Sequence, residues 1–459
     1  MTTPAPRSHP HSHPRQALAR SIGLSAFVYG YPLIESMRTC RMQTSGATLR
    51  APIDTLFHIR QASTDKDRDI VTPANDLLYT TAWINLSDGP RVLTVPAAAR
   101  HPGRYFVLAL YDAYTENFAN IGPRNSLAEG EEVVLIGPDA EVPEAYRKHR
   151  IVRSPTHLVW LIGRILVADA DDLPGARALQ AEIALHSAPG TGRGTRPLAV
   201  EQWPGEPIDA MAEAFEQGKP AADVAPRFFT SLCQALVDAP GRTEDRGMVT
   251  WLNQAGLMAN AHFQWAALDA PVQAGLIEGF ADAINLVAVA ARSRRATPWV
   301  LASRAGRYGN DYLVRALTAY IGLGALATDE ALYGAGHFDA EGKALDGQHC
   351  YTLRFARDDM PPAEAFWSVT LYDADRYLYP NAIGRHSIGD RTQGLHYDSD
   401  GSLTLHFSHQ APTDAAQRAN WMPTPAGHFY LILRLYYPPV DARKWKVPPL
   451  TLAGSKVTA

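Results

Sequence analysis

Apolar and polar positions recur with period two along some stretches of the chain and with a helical period along others. Leu77 to Leu86 and Arg91 to Val95 read as strands, with Ser87-Asp88-Gly89-Pro90 as the turn between them. A core strand at 104–112 is followed by a polar, aromatic loop at 114–118, and Glu131 to Ile136 and Leu158 to Val167 complete a first β unit. Helical spacing takes over from Leu173 to Leu185 and again over about 206–300, where Phe228, Leu232 and Leu236, then Leu276, Phe280, Ile284 and Val287, fall on single faces. Tyr312 to Tyr320 also reads as helix. Strands resume near 349–356 and run to about 438, including Leu403 to Phe407 after the turn Asp398-Ser399-Asp400-Gly401-Ser402. Ahead of all this, 16–45 reads as an amphipathic helix with a break at Gly30 to Pro32, and 65–76 as a loop.

The chain echoes itself. Leu110-Tyr111-Asp112-Ala113 returns as Leu371-Tyr372-Asp373-Ala374, each at the end of a strand. Asn120, Gly122 and Arg124 then match Asn381, Gly384 and Arg385, and the stretch from Pro155 to Arg164 matches Pro425 to Arg434. Ordered matches of this kind point to a duplicated β unit. Each copy places an arginine among apolar residues, and a buried charge needs a partner. Asp112–Arg164 and Asp373–Arg434 are the expected pairs. A feature needed twice suits a scaffold, so residues that differ between the copies are the better functional candidates.

These patterns predict a mainly β protein with α segments: two duplicated β-sandwich or jelly-roll-like domains joined by a helical region. The expected divisions are a disordered tail at 1–15, an N-terminal helix plus first sandwich at 16–170, a mainly helical segment at 171–330 and a second sandwich at 331–459. Within the tail, His9, His11 and His13 alternate in a proline-rich setting that suits a solvated segment. Pro189 to Thr195 reads as an exposed loop.

Composition narrows the partners. A net charge of −4 carries no basic footprint, so no nucleic-acid partner is expected. The three cysteines, Cys40, Cys233 and Cys350, are widely spaced and form neither a disulfide framework nor a zinc pattern. No run approaches a transmembrane span, and no small-residue cleavage site follows the apolar patch at 22–33, so a cytoplasmic location is expected. A homo-oligomer is compatible with all of this.

Asn75-Asp76-Leu77-Leu78-Tyr79, the 104–125 stretch and Arg153-Ser154-Pro155 through Gly163-Arg164 resemble the bacterial domain of unknown function 1254. Trp367 through Asp373, Asp400-Gly401-Ser402, Asn420-Trp421-Met422-Pro423 and Arg434-Leu435-Tyr436-Tyr437-Pro438 resemble its usual C-terminal companion, domain of unknown function 1214. The resemblance implies two β-sandwich domains with a helical region between them. It implies no established reaction, and relatives of this kind often look exported.

Motifs with known chemistry are sparse. The serine-hydrolase elbow and the phosphate-binding P-loop are absent. The stretch 322–327 (Gly-Leu-Gly-Ala-Leu-Ala) follows a helical pattern rather than a strand, so it fails as a dinucleotide fingerprint. His386, His396, His406, His409 and His428 cluster late in the chain without the tight spacing of a zinc set, and neither metal nor organic cofactor is expected. What remains is a group of polar residues in loops that differ between the copies. Asp76 and His386 are candidate bases, and Tyr79 or Tyr114 a candidate proton donor. Asn75, Tyr114, Asn117 and Trp421 are candidate substrate contacts, while Arg124 and Arg385, each near a glycine, could clamp an anion. Together they suggest an enzyme of hydrolase or lyase type acting on a small, partly apolar molecule. The alternatives are a non-catalytic binder of a small molecule or carbohydrate, with aromatic side chains stacking on the ligand, and an interaction scaffold.

Overall fold

A computed structural model describes residues 14–46, 49–68, 72–188, 208–295, 299–302 and 304–453. The histidine-bearing tail and the 189–195 stretch lie outside these residues. The fold combines four β-sheets with helices.

Two sheets come from the first part of the chain. One runs in the order β1 (Phe57–His58), β2 (Leu77–Asn85), β8 (Leu158–Leu166), β4 (Phe106–Asp112), β5 (Asn117–Ile121). The other runs β7 (Arg150–Arg153), β6 (Glu131–Ile136), β3 (Arg91–Val95), β9 (Ala184–Ser187). Alternation decides which residues meet. Leu108 and Leu110 of β4 and Leu161 and Ile165 of β8 join Leu93, Val133 and Leu135 of the second sheet in one buried cluster, closed by Ala176 and Leu179 of α2 (Leu173–Glu182). The opposite face of the first sheet, with Val107, Tyr111, Trp160 and Ile162, packs toward the helices.

The last part of the chain builds the other two sheets, β10 (Trp299–Leu301), β11 (Ala331–Gly336), β17 (Phe429–Tyr436), β13 (Phe366–Asp373), β14 (Ser387–Gly389), and β16 (Trp421–Pro423), β15 (Leu403–Ser408), β12 (Tyr351–Phe355), β18 (Thr451–Leu452). Leu353, Val369, Leu405, Leu431 and Leu433 share their common core. The two five-stranded sheets have matching registers. Tyr79 and Val107 flank Arg164, and Tyr333 and Ser368 flank Arg434. Both β4 and β13 end in one type of turn. Asp112 accepts from the backbone N–H groups of Tyr114 and Glu116 at 2.9 Å, and Asp373 from those of Asp375 and Tyr377 at 3.0 Å. Thr115 (φ 69°) and Arg376 (φ 73°) hold the left-handed position in each.

Those turns overturn two readings. The expected Asp112–Arg164 and Asp373–Arg434 pairs do not form, because the partners belong to opposite faces of their sheets. Asp112 has the parity of Leu108 and Leu110, whereas Arg164 has that of Trp160 and Ile162 on the helix side. The downstream echo is also displaced. Gly122 corresponds in register to Gly389, not Gly384, since the connection after β13 is longer. At both glycines a Cβ would collide with the neighbouring strand, 2.4 Å from Phe106 O and 2.1 Å from Trp367 O. A third difference concerns 114–118, where β5 already starts at Asn117.

Helices α1 (Pro14–Thr44), α3 (Ala221–Asp238), α4 (Arg246–Asn253), α5 (Ala270–Arg295) and α6 (Tyr312–Gly322) cover the remaining face of the first sheet, and α7 (Ala415–Ala419) is a short turn in the last part of the chain. α1 is continuous through Pro32, where a break was expected. An internal proline costs roughly 3 kcal/mol. Burying Phe27, Tyr29, Tyr31 and Leu33 around it returns about 1.5–3 kcal/mol for each large side chain, so packing wins. α1 and α5 touch backbone to backbone. A Cβ at Gly275 would stand 2.2 Å from Gln16 O, and one at Gly279 2.1 Å from Arg20 O. Both helices are long and apolar enough to cross a membrane, although no run in the sequence pattern suggested it, and both are packed into the fold.

Candidate functional site

The helix-side faces of the two five-stranded sheets carry Arg164 and Arg434, and the residues around these form one polar cluster at the seam between the two parts of the chain. Arg164 donates to Tyr111 Oη at 3.3 Å and to Gly324 O at 2.7 Å. Arg434 donates to Thr370 Oγ1 at 3.0 Å and to Tyr372 Oη and Thr72 O at 2.9 Å. They retain 8% and 5% of their surface. Among the described residues neither has a carboxylate within ion-pair distance. Tyr79, Tyr333 and Tyr436 lie within electrostatic range of both guanidinium groups. Burial raises Tyr111 and Tyr333 above the ordinary phenol range, and Tyr372 and Tyr436 likewise, so these phenols stay neutral.

Asp76, at the end of the loop leading into β2, reaches this cluster. Both of its carboxylate oxygens are buried without a hydrogen-bond partner, as is the nearby Ser368 hydroxyl. Burial pushes the carboxyl above its ordinary range, against the pull of Ser368 and the Arg434 charge. Asp390, whose Oδ1 accepts from Trp367 N at 3.1 Å, is raised too, first by burial, with Asp76 adding to the effect. The loop ahead of β2 is tied to the other part of the chain. Tyr372 donates to Pro73 O at 2.6 Å, and Ser387 bonds Asn75. Tyr79 Oη accepts from Ala74 N at 3.2 Å.

Of the residues singled out from the sequence, the Asn75–Tyr79 stretch and the strand entered at His386 therefore meet. His386 is buried, with Nε2 3.8 Å from Asp65 and Nδ1 unpartnered, and burial lowers its pKa. The others are dispersed. Tyr114 sits in the helical core, its ring 5.2 Å from Tyr29 and its hydroxyl donating to Ala239 O. Asn117 is wholly buried, donating to Leu110 O and Ala119 O and accepting from Ala327 N. Arg124 pairs with Glu330 at 3.0 Å and lies over the Tyr437 ring at 3.9 Å. Arg385 donates to Ala419 O and Trp421 O, and Trp421 to Ser408 O. Among the described residues no three His, Cys, Asp or Glu side chains converge as a metal-holding group.

Tyr111, Tyr333, Ser368, Tyr372 and Tyr436 were missed by the sequence reading. The signal for Tyr111 and Tyr372 was present in the echoed Leu-Tyr-Asp, where the tyrosine, not the aspartate, has the parity of the arginine.

No curated protein matches the chain. Among solved structures, the VPA0106 protein from Vibrio parahaemolyticus superposes with a TM-score of 0.69 at 23% identity, over 95% of this chain and 100% of that one. An uncharacterized protein from Burkholderia cenocepacia matches with a TM-score of 0.46 at 14% identity, over 93% and 88%. The first likeness bears on the fold alone. Residues 53–187 match the model of the protein of unknown function DUF1254, and residues 330–440 that of the protein of unknown function DUF1214. The chain thus belongs to the proteins that pair an N-terminal DUF1254 domain with a C-terminal DUF1214 domain.

Proposed function

We propose that the seam is the active site of an enzyme that works on a small, partly apolar molecule by acid–base chemistry, of hydrolase or lyase type. The observation that carries this reading is Asp76, a buried carboxylate with no hydrogen-bond partner and a raised pKa, beside the Arg434 charge. An unpartnered buried acid opposes folding, and a base poised above the ordinary carboxylate range is suited to taking a proton near neutral pH. Tyr79 is the matching proton donor, and the tyrosine rings offer an apolar wall. His386 is a second base candidate, set apart from Asp76 by its contact with Asp65.

The matching registers around Arg164 and Arg434 support a further part of this reading, that the two strand-rich units are β-sandwiches descended from one duplicated unit. In that case Asp76 and Glu330 occupy equivalent places, each three residues before its tyrosine (Tyr79, Tyr333). They have diverged. Glu330 is engaged by Tyr105 at 2.8 Å and by Arg124, whereas Asp76 is left without a bond. Divergence of this kind marks one copy for chemistry and the other for structure.

A panel of small esters, acids and sugars, screened first for thermal stabilisation of the full chain and then for turnover, tests the reading. Turnover that survives in Asp76→Asn at the wild-type rate would sink it. Saturable binding with no turnover would favour a binding protein with the same seam.

A further inference from the structure

Resting on the assignment of the seam as the small-molecule site, the substrate class can be narrowed. Arg164 and Arg434 are buried cations that hydrogen-bond only to neutral groups, namely tyrosine and threonine hydroxyls and backbone carbonyls. Each spends part of its donor set on these partners and keeps N–H groups for which the described residues supply no acceptor. Tyr79 and Tyr333, at equivalent register positions beside the two arginines, repeat the pattern. Their hydroxyls accept backbone N–H groups from Ala74 and Leu326, both at 3.2 Å, and their own hydrogens have no acceptor among the described residues. Both tyrosines are half-buried, less enclosed than Tyr111, Tyr372 and Tyr436.

Charge balance points the same way. Asp76 is the carboxylate in electrostatic contact with Arg434, and even when ionised it balances one guanidinium at most. Asp390 lies beyond it, with Arg391 at 3.9 Å. An uncompensated buried cation costs several kcal/mol, on the order of what breaking a buried ion pair costs, so a chain that retains two gains by admitting an anion. The guanidinium fork fits a planar carboxylate through paired N–H donors, and the tyrosine faces suit an apolar body.

We propose that Arg164 and Arg434, with the Tyr79 and Tyr333 hydroxyls, hold the carboxylate of a small organic acid whose apolar part lies against the tyrosine rings. The test is calorimetric titration of the full chain with benzoate, acetate and succinate, using benzamide as the neutral isostere and inorganic phosphate as the non-planar anion. Saturable binding of a carboxylate is expected, with benzamide at least roughly tenfold weaker. Tyr333→Phe, which keeps the ring and gives up only the hydroxyl with its bond from Leu326 N, should weaken carboxylate binding several-fold, and Arg164→Lys and Arg434→Lys should weaken it further. Benzamide binding as tightly as benzoate, phosphate binding where carboxylates do not, no binding of any carboxylate, or binding unchanged in Tyr333→Phe and both lysine variants would each overturn the proposal. Asp76→Asn separates this proposal from the catalytic reading. It should lose any turnover yet preserve or strengthen carboxylate binding, whereas a wild-type chain that binds carboxylates without turning over any compound defeats the enzyme while leaving the anion site. Turnover of neutral compounds with no carboxylate binding does the reverse.

Discussion

Asp76 offers a sharp contrast between activity and stability. Replacing it with asparagine should lower turnover by roughly 10²–10⁴-fold if it is the base. The same change should leave the melting temperature equal or higher, because it removes a buried carboxylate that has no hydrogen-bond partner. Buried carboxyls elsewhere predict the pH dependence. Burial raises Glu35 and Glu330 to about 7 from an ordinary 4.5. The folded state therefore binds more protons than the unfolded chain between these values. Their contribution to stability is fully present below about 4.5 and is lost as pH rises through about 7. The urea midpoint should be higher at pH 5 than at pH 8, and Glu330→Gln should flatten that difference. An unchanged slope in the variant would remove Glu330 as its source. Asp76 was legible in the sequence because a polar pair opens an apolar strand. Its lack of a partner was not, since that depends on Ser368 and Arg434, brought in from the far end of the chain.

Helices and strands were legible wherever periodicity was long. Arg91–Val95 and Glu131–Ile136 fall as read, and Phe228, Leu232, Leu276 and Phe280 are all buried. What failed was the comparison between strands. Alternation gives the faces within one strand, but aligning two strands needs their register, and that error put Asp112 opposite Arg164. The continuity of α1 was hidden for a related reason. Gly30 and Pro32 read locally as a break, whereas Gly30 gives room to Leu232, whose Cδ1 would stand 2.6 Å from an added Cβ. Close contact between α1 and α5 makes a direct prediction. Gly279→Ala should destabilise the protein by about 1–3 kcal/mol in urea unfolding, since its methyl meets the Arg20 carbonyl and backbone cannot step aside cheaply. A neutral effect would mean that the helices separate more readily than their packing suggests.

The two strand-rich parts are wired together through buried and half-buried groups. Tyr105 bonds Glu330 at 2.8 Å, Tyr111 bonds Gly324 O at 2.9 Å, Tyr372 bonds Pro73 O, and Ser387 bonds Asn75. Aromatic contact continues across the same boundary, with Tyr105 5.2 Å from Tyr436 and 4.8 Å from Tyr437. Such coupling predicts a single cooperative transition in scanning calorimetry, with the van't Hoff and calorimetric enthalpies in agreement. Two resolved peaks in the wild type would refute it. Combining Glu330→Ala with Tyr372→Phe should broaden or split the peak, because both changes remove bonds across one boundary.

The pairing of α1 with α5 also has a temporal consequence. Gln16 reaches Glu278 and Arg20 reaches Asp282, each across 262 residues of chain. α1 is synthesised long before α5, the partner it must wait for. Contacts so remote in sequence carry a large loop-closure cost and slow the search for the native state. During that wait an apolar helix, lined with Phe27, Val28, Tyr29 and Leu33, is left uncovered and open to association with other unfinished chains. Recovery after dilution from denaturant should therefore fall steeply with protein concentration. Supplying a holdase during synthesis should improve yield more than any single stabilising substitution in the strands.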